Sequence, residues 1–108
     1  MARVRVDWSA TARRDLEAIV RYIAQDSIDQ ALAVLDRLES RATALAIHPE
    51  RGRVVPELRA LGVLQYHEII ERPWRILYRV QGARVLVLAV LDGRRSLANL
   101  LLERFVRS

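Results

Sequence analysis

Hydrophobic positions along this chain switch between two periods, and the switches mark its elements. Arg3–Trp8 alternates strictly, with Val4, Val6 and Trp8 on one side, which predicts an opening strand. Ser9 then stands where a helix N-cap belongs, and Ala12, Leu16, Ile19, Val20 and Ile23 follow at helical spacing with Asp15, Glu17 and Arg21 between them. Asp26-Ser27 interrupts that helix, and Ser27 with Gln30 fits a capping box. A second amphipathic helix carries Ala31, Val34, Leu35, Leu38, Ala42 and Leu45 on one stripe and stops before Pro49. Two helices with so short a link form an antiparallel hairpin, and its apolar stripe needs a sheet to cover.

The rest of the chain reads mainly as strands. Glu50–Leu61 holds Gly52 and Pro56, shows no clean period and reads as a loop. Val63–Ile70 is predicted as a strand, linked through Glu71-Arg72-Pro73 to the next. There Trp74, Ile76, Tyr78 and Val80 alternate with Arg75, Leu77 and Arg79. After the turn signal Gln81-Gly82, Arg84–Leu91 is almost wholly apolar and β-branched, as in a strand buried on both faces and therefore central. Asp92-Gly93-Arg94-Arg95 follows as a charged turn. Ser96 then opens a short amphipathic helix with Leu97, Leu100, Leu101 and Phe105. The predicted order is β-α-α-β-β-β-α: an α+β fold with an N-terminal strand, a helical hairpin, a three-stranded antiparallel segment and a C-terminal helix, in one domain spanning residues 1–108.

Composition narrows the chemistry. With no cysteine there is no disulfide framework, no thiolate nucleophile and no cysteine-bound metal, and two histidines are too few for a histidine-rich metal site. No cofactor or metal is expected. No stretch is long enough to span a membrane, no secretory start is visible, and the cytoplasm is the expected location. The net charge is +5, and every cation is arginine, so lysine chemistry is excluded. Arginine grips carboxylates and phosphates with two parallel hydrogen bonds, and a basic chain favours an acidic protein or nucleic acid as partner.

Candidate functional residues cluster in the strand region. Arg75 lies mid-strand, where an arginine is either surface or ion-paired. Arg79 reads as a surface residue or one half of a cross-strand pair, and Asp92 as a turn residue before a catalyst. Arg94 and Arg95 follow the central strand. His67 and Glu68 are neighbours in a strand and so point to opposite faces. Either one can lie on the arginine face, depending on register. Trp8, Trp74 and Tyr78 read as core.

Ala12-x-x-Asp15-Leu16, His48-Pro49-x-x-Gly52-Arg53, Val55-Pro56-Glu57-Leu58, Trp74-Arg75-Ile76-Leu77-Tyr78-Arg79-Val80 and Val90-Leu91-x-Gly93-Arg94-Arg95, in this order, resemble the RelE/ParE toxins of bacterial type II toxin–antitoxin systems. The resemblance covers nearly the whole chain. It implies a small toxin neutralised by a cognate antitoxin, here an acidic one, and leaves open a homodimer or a heterotetramer with that antitoxin. RelE-type members cleave mRNA in the ribosome, and ParE-type members inhibit DNA gyrase. For the nuclease, the resemblance implies Arg75 with Arg94 or Arg95 as phosphate clamp. His67 or Glu68 would then handle protons. The lysines and the C-terminal tyrosine of that site are missing: the strand offers Tyr66, His67 and Glu68, and the tyrosine region holds Leu100-Leu101-Leu102. The long hairpin also resembles ParE. The expectation is therefore a ParE-like gyrase inhibitor, with a ribosome-dependent mRNA endonuclease as alternative and a non-toxic basic binding module as a second. Arg75, Arg79, Asp92, Arg94 and Arg95 form its expected functional surface, and Leu16, Ile23, Val34, Leu97, Leu101 and Phe105 its expected antitoxin contacts.

Overall fold

In the computed structural model, which describes residues 4–93, the chain runs β1 (Arg5–Trp8), α1 (Ala10–Ala24), α2 (Ile28–Thr43), a 3-10 turn (Ala44–Ala46), β2 (Arg53–Val54), α3 (Pro56–Arg59), β3 (His67–Glu71), β4 (Trp74–Gln81) and β5 (Arg84–Asp92). The strands form one five-stranded sheet in the order β1-β5-β4-β3-β2. β1 joins β5 in parallel, and the other pairings are antiparallel. This is the expected α+β architecture, extended by two elements. The segment read as a loop, Glu50–Leu61, contains β2 and α3, and the strand expected over Val63–Ile70 begins only at His67. A two-residue strand and a four-residue helix are too short to show a period. The predicted C-terminal helix lies outside the described residues.

Both helix starts follow from their caps. Ser9 Oγ accepts the Ala12 N–H at 3.0 Å, and Ser27 Oγ accepts the Gln30 N–H at 3.2 Å. The turn between β4 and β5 needs glycine at its first central position: Gly82 has φ +58° while Ala83 keeps a negative φ, the pattern of a hairpin turn whose twist matches the strands.

The hairpin covers one sheet face. Ala12, Leu16, Val34, Leu38, Ala42 and Leu45 meet Ile69, Ile76, Tyr78, Val85, Val87 and Val90 there, with Trp8, Ile19, Ile23, Leu35 and Trp74 half-buried around them. Leu16 and Val34 are therefore core, which corrects their assignment as antitoxin contacts: the sheet already occupies the faces they present. That the sheet covers the apolar stripe is the packing expected of the hairpin. The opposite sheet face carries a smaller core of Leu77, Ala89 and Leu91 under Val55 of the α3 segment, flanked by Leu58 and Tyr66.

α1 is also fastened to β5 through the backbone. The pairing of β4 with β5 jumps from Leu77↔Ala89 to Tyr78↔Val87, which leaves Leu88 as a bulged residue. The Ser9 hydroxyl donates to the Leu88 carbonyl at 3.2 Å, and an Asp15 carboxylate oxygen accepts the Val90 N–H at 3.0 Å. Thus the backbone polar groups on either side of the bulge, beyond the last β1 pair at Trp8↔Val87, are satisfied by side chains of α1 and its cap.

Tyr78 pins the crossing segment to the sheet. Its buried hydroxyl donates to the Pro49 carbonyl at 2.8 Å and accepts the Gly52 N–H at 2.9 Å, and burial holds it above the usual phenol pKa. Gly52 sits so close that a Cβ there would lie 2.5 Å from the Tyr78 oxygen and 2.6 Å from the Glu68 carbonyl, so only glycine fits. Tyr78→Phe strands both backbone partners and is expected to cost about 1–3 kcal/mol. The check is the urea midpoint, and a value equal to wild type would show that water replaces the hydroxyl without loss.

Candidate functional site

Arg75 stands on the second sheet face, near the end where β3 turns into β4. Register places it there: Ile70 pairs with Arg75, and Glu68 pairs with Leu77 on one side and Arg53 on the other. Cross-strand partners share a face, so Arg75 and Glu68 emerge together on the side away from the hairpin. His67 emerges on the hairpin side, its ring centroid 5.8 Å from that of Tyr78. The structure thus resolves which of the two neighbours faces the arginine. It also separates His67 from Arg75 by the thickness of the sheet.

Arg75 is 9% exposed and Glu68 1%. The Arg75 Nε–H donates to Glu68 Oε1 at 2.7 Å, and its two Nη groups donate to the two Glu57 oxygens at 2.9 and 2.8 Å. The other Glu68 oxygen accepts from Arg53 Nε at 2.8 Å. The result is an alternating chain, Glu57–Arg75–Glu68–Arg53, in which the central guanidinium is bracketed on two edges. Such pairing is what permits a charge in the interior at all. Of the two readings that the sequence left for Arg75, surface or ion-paired, the structure shows the ion-paired one. α3 brings Glu57 onto it, while Val55 covers the neighbouring Leu77, Ala89 and Leu91.

The ionisation of the cluster follows from its geometry. The hydrogen bonds that Arg75 donates to Glu57, then those to Glu68, hold it firmly protonated. The Arg75 hydrogen bond likewise holds the Glu57 carboxyl below its ordinary value of 4.5. Folding therefore favours ionised Glu57, so its contribution is fully present above about pH 4.5 and is lost as the pH falls through the lower, folded-state value. Unfolding free energies measured across acid pH are expected to fall more steeply for wild type than for Glu57→Gln. Parallel curves would show that the pair contributes nothing to folding.

Beside this cluster lies an open cleft of about 540 Å³, lined by Arg53, Pro56, Glu57, Ile70, Arg72, Pro73, Trp74, Arg75 and Gly93. The Gly93 N–H donates to the Pro73 carbonyl at 2.8 Å, closing the end of the β4–β5 pair against the β3–β4 turn. Asp92, paired with Trp74, lies at the same end of the sheet. Arg79 is four residues further along β4, its guanidinium 5.9 Å from the centre of the Tyr66 ring. Arg94, Arg95, Leu97, Leu101 and Phe105 lie outside the described residues. Among the described residues no group of His, Asp and Glu could hold a metal ion, and no helix is long and apolar enough to cross a membrane. Glu57 and Arg53 stand in the motifs that carry the resemblance but were given no role in the site, since both fall in the segment read as loop. The available signal was chemical: an arginine in a mostly apolar strand requires carboxylates nearby.

A sheet with a helical hairpin on one face is the architecture of the RelE/ParE-type fold. The family model for the ParE toxin of the type II toxin–antitoxin system parDE matches residues 6–97. The chain is 35% identical over 89 residues to Toxin ParE3 of Caulobacter vibrioides, covering 78% of this chain and 81% of that protein. Its fold matches a chain of the chromosomal ParDE toxin–antitoxin system from P. aeruginosa with TM-score 0.67 at 22% identity, covering 82% of this chain and 95% of that one. It also matches a chain of the RelBE2 toxin–antitoxin complex from Mycobacterium tuberculosis with TM-score 0.62 at 23% identity, covering 85% and 93%. The chain belongs to the ParE toxin family of type II toxin–antitoxin systems.

Proposed function

We propose that this toxin acts by binding a protein target, DNA gyrase, rather than by cutting RNA, and that a cognate acidic antitoxin neutralises it. The observation that carries this reading is the occupied guanidinium of Arg75. A phosphate clamp needs free donors, and here both Nη groups are bound to Glu57 and the Nε–H to Glu68. Proton transfer is no better provided for, because His67 lies on the other side of the sheet and Glu68 is fully buried and hydrogen-bonded to two arginines. General acid–base groups typically contribute about 10²–10⁴-fold to a rate, and they act only within hydrogen-bond reach of the reacting atoms.

An acidic antitoxin is supported by the net charge of +5 and by the neighbouring folds, which come from toxin–antitoxin complexes. Among the described residues, the apolar side chains available to it include Tyr22, Ile28 and Leu32, all more than half exposed near the closed end of the hairpin. Supercoiling assays with purified gyrase, run beside primer-extension mapping of transcripts after induction, separate the two activities. Inhibited supercoiling with intact transcripts is the expected result. Discrete cuts in ribosome-bound mRNA that disappear in Glu68→Gln or His67→Ala would establish the endonuclease instead.

A further inference from the structure

The two carboxylates on Arg75 are not equivalent. Glu68 issues from β3 within the sheet and its side chain is wholly buried, whereas the Glu57 side chain is 38% exposed and rides on a four-residue helix. Glu57 also borders the open cleft, which brings Arg72 and Arg53 to its rim and Pro56, Pro73, Ile70 and Trp74 to its walls. Among the described residues Arg72 makes no ion pair, so the cleft holds positive charge beyond what Glu57 neutralises.

We infer that this cleft is an oxyanion site whose resident ligand is the chain's own Glu57, so that an external carboxylate or phosphate group reaches the Nη edge of Arg75 only by displacing it. The geometry of the site is already demonstrated by its occupant. Two oxygens lie 2.9 and 2.8 Å from the two Nη atoms, the parallel donor arrangement that a carboxylate and a phosphate both match. Glu68 holds the Nε edge and fixes the plane of the guanidinium, so the donors stay aimed at the cleft when Glu57 leaves. The inference rests on the reading above that Arg75 is not a free clamp in the resting protein, and it adds that Glu57 is what makes it so.

The test is a titration with two simple probes, sodium acetate and inorganic phosphate, each against sodium chloride at matched ionic strength. Arg75 Nε–H resonances and melting temperatures are followed in wild type and in Glu57→Ala, with Glu57→Gln as a second variant that keeps the side-chain volume should alanine prevent folding. Removing a competing charged hydrogen-bonded pair is expected to tighten oxyanion binding by about 10- to 100-fold. Saturable shifts in the variant, absent in wild type at the same concentrations, support the inference. Phosphate outcompeting acetate marks the site as one for phosphate groups, and the reverse order marks it for carboxylates. A variant that responds no more to either probe than to chloride overturns the oxyanion site. A wild type that binds as tightly as the variant overturns the role of Glu57. Neither readout involves gyrase or mRNA, so failure here leaves the proposed activity to its own assays.

Discussion

Arg75→Ala is expected to destabilise the fold by about 3–5 kcal/mol, the range seen when one partner of a buried ion pair is removed. The loss does not come from the Arg75–Glu57 half of the cluster, since Glu57 is more than a third exposed and can turn to water. It comes from Glu68. That carboxylate has no exposed side-chain surface and would keep Arg53 on one oxygen while losing Arg75 from the other. Removing the stranded charge as well makes the cause visible: Arg75→Leu combined with Glu68→Leu is expected to be more stable than Arg75→Ala, because two well-packed apolar groups need no pairing. Chemical denaturation of the three proteins decides it. A double variant as unstable as the single one would show that packing of the arginine stem, not the orphaned carboxylate, sets the loss.

Leu38→Ala is the second large effect, expected at about 2–5 kcal/mol. Leu38 is fully buried on α2, within the cluster that joins the hairpin to Ile69, Ile76 and Tyr78 of the sheet. Alanine is the better helix former, so helix propensity offsets a little of the loss, and the observed cost is a lower bound on the cavity and lost transfer energy. For a domain of this length each kcal/mol lowers the melting temperature by about 4–8 °C. Thermal and denaturant unfolding measure it, and an unchanged midpoint would mean that the hairpin does not depend on the sheet for its stability. The contrast with Leu32, which is 56% exposed on the same helix, offers an internal control: Leu32→Ala is expected to leave stability nearly unchanged.

The stability of the fold and the availability of the site are linked through Tyr78 and Glu68. Tyr78 fixes Pro49 and Gly52 from the hairpin side of the sheet, while Glu68 pairs with Arg53 immediately after that glycine. The short β2 strand is thereby held from both faces. It leads through Val55 into α3, which carries Glu57 to Arg75. A change that loosens the Pro49–Gly52 crossing should therefore also loosen the carboxylate that occupies the guanidinium.

Elements whose residues repeat are legible in the chain alone. Ser9 and Ser27 start the helices because a hydroxyl there satisfies an amide with no partner within the helix. Trp74, Ile76 and Tyr78 announce β4, and the β-branched run before Asp92 announces β5, because side-chain alternation and apolar runs follow directly from strand geometry. The ordered motifs likewise carried the family. Strand register and packing settle what periodicity leaves open. Alternation shows that His67 and Glu68 face opposite ways, but only the register with β4 and β2 puts Glu68 beside Arg75 and His67 beside Tyr78. The stripe through Leu16 and Val34 and its need of a sheet were legible, but not which sheet residues meet it. β2 and α3, too short to repeat, exist because Tyr78, Arg75 and the small core under Val55 hold them there. The partner that sets the state of the candidate site, Glu57, lies 18 residues from Arg75 along the chain. No local pattern connects the two, and only the folded sheet brings the carboxylate to the arginine.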